Sequence, residues 1–182
     1  MTDAPSRTCG RCHACCVHIK VDGLNKPAGV RCPHLKNGPG CCSIYDSRPQ
    51  ECGVFTCAWI DGYFPRGMRP DKSGILLEVS WIEEPRKFTI LAGQETRPGA
   101  IEAAAQRIES SLPDSCVALI VPHDKGDPVV FGKQEDLDFL FAFMRSCQAR
   151  GGIRHAMADG MFFQPLGGTG GPQLVQIEGI PK

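Results

Sequence analysis

The stretch Ile75-Leu-Leu-Glu-Val-Ser-Trp-Ile82 alternates with a period of two, which predicts a strand with Ile75, Leu77, Val79 and Trp81 on one face. A turn at Glu84-Pro85 leads into a second strand, Phe88-Thr-Ile-Leu-Ala92. Pro98 then opens a helix with Ile101, Ala104, Ile108 and Leu112 at helical spacing. Cys116-Val-Ala-Leu-Ile-Val121 has the unbroken apolar run of a buried strand, and His123-Asp-Lys-Gly-Asp127 turns it back into Val129-Val-Phe131. A second helix carries Leu137, Leu140, Phe141 and Met144 on one stripe and stops at Gly151-Gly152. Leu174-Val-Gln-Ile177 predicts an edge strand in an otherwise loop-like tail.

Before residue 74 periodicity nearly disappears. Val17-His-Ile-Lys-Val21 reads as a short strand, and the rest is turn punctuation: Asp22-Gly23, Lys26-Pro27, Asn37-Gly38-Pro39-Gly40 and Ser47-Arg48-Pro49. Arg48-Pro49 starts either a short helix carrying Cys52 or a plain surface turn. The expected architecture is α+β: a Cys-rich module over 1–73, stabilised by metal, packed on a small antiparallel sheet with two helices over 74–182. The boundary is soft, and one compact domain is the other reading. No internal repeat occurs.

The chain has 182 residues, 42% of them hydrophobic, which suffices for a core. Net charge is zero, yet residues 1–73 carry ten Lys/Arg against six Asp/Glu and residues 74–182 carry ten against fourteen. That basic excess does not point to nucleic acid, since no stretch interleaves basic with aromatic residues. It fits cations that offset bound thiolates. No apolar run reaches the length of a membrane span, and Met1-Thr-Asp-Ala-Pro-Ser-Arg7 has no apolar core of a secretory signal. The expectation is a cytoplasmic protein with reduced thiols.

This matters because nine of the eleven cysteines fall between residues 9 and 57, four of them in Cys9-Gly-Arg-Cys12-His-Ala-Cys15-Cys16. Zinc takes four N/S ligands in a tetrahedron, often supplied in pairs two to four residues apart. Eight thiolates would suit two closed zinc sites, and a structural zinc supplies on the order of 10 kcal/mol of folding free energy. Iron–sulfur is the rival, because Cys9, Cys12 and Cys15 match the start of a ferredoxin run and Cys32-Pro33 imitates its end at a longer distance. Adjacent Cys15 and Cys16 cannot both reach one tetrahedral ion without strain. They point to two metals or to opposite sides of one cluster.

Cys9-x2-Cys12-x2-Cys15-Cys16, Cys32-Pro-His-Leu35, Cys42-Ser-Ile-Tyr45, Arg48-Pro49, Cys52-Gly-Val-Phe55, Cys57 and Arg69-Pro-Asp-Lys72 together resemble the CxxCxxCC family of zinc- or iron-chelating domains, the YkgJ-like cysteine cluster proteins. The resemblance covers roughly residues 9–75. It implies a metal-binding domain with Cys9, Cys12, Cys15, Cys16, Cys32, Cys42, Cys52 and Cys57 as ligands, its metal being zinc or iron. Some relatives join this module to lysine methylation of flagellin, an architecture not visible here. Cys41 departs from the pattern, and Cys42 is preferred because it keeps the spacing to Tyr45.

The remaining candidates read more plainly. Cys116 and Cys147 are expected as small core residues. His34 is expected beside a ligand rather than as one, and His13 and His18 as solvated. No partners suggest themselves for His123 and His155. Tyr45 and Phe55 are expected to pack around the metal core. Gly167-Gly-Thr-Gly-Gly171 lacks the Lys-Ser/Thr of a phosphate loop and reads as a flexible turn. No hydrolase, zincin or dinucleotide fingerprint occurs, and Asp136 and Asp138 cannot share a helix face.

Three functions follow. One is two zinc ions in a structural or regulatory role, the α+β half offering a surface to a protein partner. The second is an iron–sulfur cluster in redox chemistry or within an oxidoreductase. The third is a metal chaperone or store.

Overall fold

A computed structural model of the chain describes residues 7–36 and 42–149, with side chains to residue 146. Cys41, the turn at Asn37–Gly40, Gly151-Gly152, His155, the Gly167–Gly171 segment and the Leu174–Ile177 strand lie outside the described residues, as does the side chain of Cys147.

The chain is α+β. Three short helices, α1 (Ala14–His18), α2 (Gln50–Val54) and α3 (Pro70–Ser73), precede the first strand. Then come β1 (Ile75–Ile82), β2 (Phe88–Glu95), α4 (Ala100–Ser111), β3 (Cys116–Val121), β4 (Val129–Phe131) and α5 (Gln134–Ala149). The strands form one sheet in the order β1-β2-β3-β4. β1 and β2 pair antiparallel, with Val79 opposite Leu91, and β3 and β4 also pair antiparallel.

The β2–β3 pair is parallel, with Leu91 opposite Ala118, so the sheet is mixed and not antiparallel throughout. Its connection contains the twelve residues of α4, and a crossover of that length is what parallel neighbours require. The strand patterns carry no direction, so this pairing was invisible in them.

Alternation along the strands splits the apolar side chains between two faces. Ile75, Leu77, Leu91, Ala118 and Ile120 pack with Ile101, Ala104 and Ile108 of α4, and with Ala58, Trp59, Phe64 and Met68 from before the first strand. Ile82, Phe88, Ile90 and Val117 pack with Leu140 on α5. Here Phe139 and Phe143 join Leu137, Leu140 and Met144, while Phe141 of the predicted stripe does not. Ala58 N–H donates to the Leu77 carbonyl at 2.8 Å, tying the Cys-rich part to the sheet. At Gly93 a Cβ would stand 2.0 Å from the Leu76 oxygen, so only glycine lets β1 and β2 approach there.

Several local expectations need correction. Val17 and His18 belong to α1, not to a strand, and only Val21 pairs, across a turn, with Lys26. The α4 helix starts at Ala100 because Glu95 holds its first amides, and Leu112 is its extended cap. Trp81 is 51% exposed although it alternates with buried Ile75 and Leu77, and it stands outside the core cluster that holds those two. Among the described residues no helix is long and apolar enough to cross a membrane.

Candidate metal centre

The Cys-rich part has almost no apolar interior of its own. Among the described residues between 7 and 56 the buried hydrophobic side chains are Val21 and Leu35, and α1 and α2 bury none. Short hydrogen-bonded turns hold the thiols in place instead. Cys12 N–H donates to the Cys9 carbonyl at 2.8 Å, closing a turn through Gly10 at φ 54°. Left-handed backbone there favours glycine, which has no Cβ to strain. Cys32 N–H donates to the Cys16 carbonyl at 2.9 Å, Leu35 pairs with Cys42, and Cys57 pairs with Glu78 of β1. Pro49 caps α2, which carries Cys52, so the helix reading of Arg48-Pro49 holds.

The eight cysteines interact in two overlapping neighbourhoods, joined where the charge of Cys16 acts on Cys9 and Cys15. In the first, Cys15 feels the charges of Cys9 and Cys12, Cys12 that of Cys57, and Cys57 that of Cys9. In the second, burial pushes the Cys52 thiol up, and the charges of Cys16, Cys32, Glu51 and Cys42 push it further. The seam is the adjacent pair. Cys15 hydrogen-bonds to Cys16 and keeps the proton, its pKa raised by that bond and by burial. Cys16 is lowered by the same bond to about 6, with Lys26 and Arg31 helping against burial. All eight, and Cys116, are free thiols. Cys116, 1% exposed in the core, is pushed up to about 12 by burial and by Asp136, in keeping with its expected packing role.

Backbone amides point at sulfur in the first neighbourhood. The Ala14 and Asp71 N–H groups reach Cys12, and those of Ile60 and Trp59 reach Cys57, each favouring thiolate against the burial that raises both pKa values. The Arg69-Pro-Asp-Lys72 motif thereby acquires a physical role. Pro70 starts α3, which presents the Asp71 amide to Cys12. Arg69 is held by Asp71 in a fork, at 2.6 and 2.8 Å, with its charge acting on Cys12 and Cys9. Arg48 acts on Cys9 as well, while stacking on Tyr45 at 4.1 Å.

A buried cation acts on Cys15 of the first neighbourhood as well as on Cys16, Cys32 and Cys52 of the second, and in the sequence it stands only in a turn. Lys26 is 3% exposed, and among the described residues no carboxylate forms an ion pair with it. Its ammonium donates to the carbonyls of Val17 and Pro27, both at 3.2 Å, and of Ile19. Burial lowers its pKa, while Cys32, Cys16, Cys15 and Cys52 raise it. A buried ammonium among four sulfurs suits anionic sulfur.

Other expectations change. His13 and His18 are half-buried, not solvated. His13 Nδ1 is a buried nitrogen without a hydrogen-bond partner, next to Cys12 in the chain, and burial lowers the His18 pKa. Tyr45 is 60% exposed and packs on Arg48, not on a metal core, whereas Phe55 packs against the sheet-side cluster. His34 contributes its carbonyl, which accepts Ser43 N–H at 2.9 Å.

Among the described residues no three His, Cys, Asp or Glu side chains close on one point as an ion would require. The thiols are neighbours in charge, with donor chemistry that fits soft-metal ligation: reduced thiols, amides aimed at sulfur, and fixed cations. No family model, curated protein or solved structure matches the chain.

Proposed function

We propose that this chain is a metal-binding protein of the CxxCxxCC type, in which two zinc ions have a structural or regulatory role. Cys9, Cys12, Cys15 and Cys57 would hold one ion, and Cys16, Cys32, Cys42 and Cys52 the other. The observation that supports this reading is how the thiols act on one another, with Cys9, Cys12, Cys15 and Cys57 grouped by charge, Cys52 grouped with Cys16, Cys32 and Cys42, and the two groups overlapping where Cys16 acts on Cys9 and Cys15. Adjacent side chains that serve different sets avoid the strain of sharing one tetrahedral ion. The near absence of apolar burial before Cys57 adds a reason, since bound metal supplies folding free energy that the segment lacks. A reducing cytoplasm would keep the ligands available.

The test is metal counting after anaerobic purification. Wild type should be colourless with about two zinc per chain, and Cys12→Ser and Cys52→Ser should each retain about one. If either substitution empties the protein of all metal, the two sets are one cluster. Brown protein with iron, sulfide and absorption near roughly 400 nm would install the iron–sulfur reading instead.

A further inference from the structure

A cavity of about 590 Å³ opens beside the first thiol neighbourhood, and Arg7, Trp59, Arg66, Gly67, Arg69 and Lys72 line it. Four of these are cations and none is an acid. Asp71, which forks onto Arg69, is the one carboxylate paired with any of them among the described residues. Arg7 spends one guanidinium nitrogen on the carbonyls of Trp59 and Phe64, at 2.6 and 2.5 Å, and lies 5.2 Å from the Trp59 ring centroid. Neutral carbonyls fix the group and leave its charge uncancelled. Arg69 and Arg48 already offset the sulfurs of this neighbourhood, so thiolate balance does not call for Arg7, Arg66 and Lys72 as well. Like charges around one concavity repel, and their shared field concentrates anions.

We propose that this cavity is a binding site for a small molecule bearing two phosphate groups, recognised through its phosphates by Arg66, Lys72 and the free edge of Arg7, while Arg69 stays forked on Asp71. The volume suits a metabolite-sized ligand. Guanidinium forks match phosphate oxygens, and charge dispersed over four cations favours separated anionic groups over a single one. Trp59 is 7% exposed and covered by Arg7, so no aromatic face is offered to a nucleobase. A Cβ at Gly67 would meet nothing within 4 Å, which leaves the wall open on that side. The site stands whatever metal the thiols hold.

Calorimetric titration of the full, metal-loaded chain with fructose 1,6-bisphosphate, a weak chelator, tests it. One equivalent should bind, more weakly as salt rises. Arg66→Ala and Lys72→Ala should each weaken binding about tenfold, with metal content and melting temperature unchanged. Arg107→Ala, on the outer side of α4, should bind as wild type does. Absence of binding at millimolar ligand would overturn the proposal. So would equal binding by the Arg66→Ala/Lys72→Ala double variant, or a single-stranded oligonucleotide that displaces the bisphosphate at physiological salt.

Discussion

Lys26 shows how much a single residue can carry. Its ammonium sits among carbonyls and sulfur, 3% exposed, with burial working against its charge. Replacing it with methionine keeps the stem and removes the charge. With Cys16, Cys32 and Cys52 as thiolates, the second set then loses its nearest compensation. We expect Lys26→Met to surrender one of two zinc ions to a chelator about tenfold faster than wild type, since one charge-assisted interaction is worth about 1.5–3 kcal/mol. Chelator competition followed by absorbance would read it, and unchanged release would remove Lys26 from the site. Nothing in Lys26-Pro27 distinguishes this lysine from a surface one in the sequence. The cysteines, by contrast, were legible, because soft ligands at two-residue spacing have few other uses.

Among the elements, α4 depends most visibly on one side chain. The Glu95 carboxylate, at the end of β2, accepts the Ala100 and Ile101 amides through one oxygen at 2.5 and 3.1 Å, and the His123 amide through the other at 2.9 Å. It therefore caps a helix and pins the loop between β3 and β4. Burial pushes its pKa up, but the three N–H bonds and His123 win, leaving it below the ordinary value of 4.5. A lowered carboxylate stabilises fully above the unfolded value, and that contribution fades as pH falls through the folded one. Glu95→Gln should cost about 2–4 kcal/mol at pH 7. Paired thermal melts should show that gap narrowing below about pH 4.5; a gap independent of pH would mean the charge is irrelevant. The helix was readable from Ile101, Ala104 and Ile108. Its start was not, because a cap supplied from a strand end leaves no local signature.

For the whole molecule, apolar burial is lopsided. Between Cys57 and Met144 the chain joins the clusters on both sheet faces, while the described residues before it bury few apolar side chains beyond Val21 and Leu35. Removing metal should therefore raise amide exchange across residues 9–55 and leave β1, β2, β3 and α4 protected, as hydrogen exchange by mass spectrometry would reveal. Equal protection in both regions after chelation would mean that the turns alone hold the first part. By itself the sequence determined the α+β class, most strands and helices, and the eight thiols as one chemical set, because periodicity and ligand spacing are local properties. The tertiary structure decided the parallel β2–β3 pairing, the burial of Lys26 and the cations gathered around one cavity. Each of these depends on which distant segments the fold brings together, and charge and hydrogen bonding act through space, without regard to position along the chain.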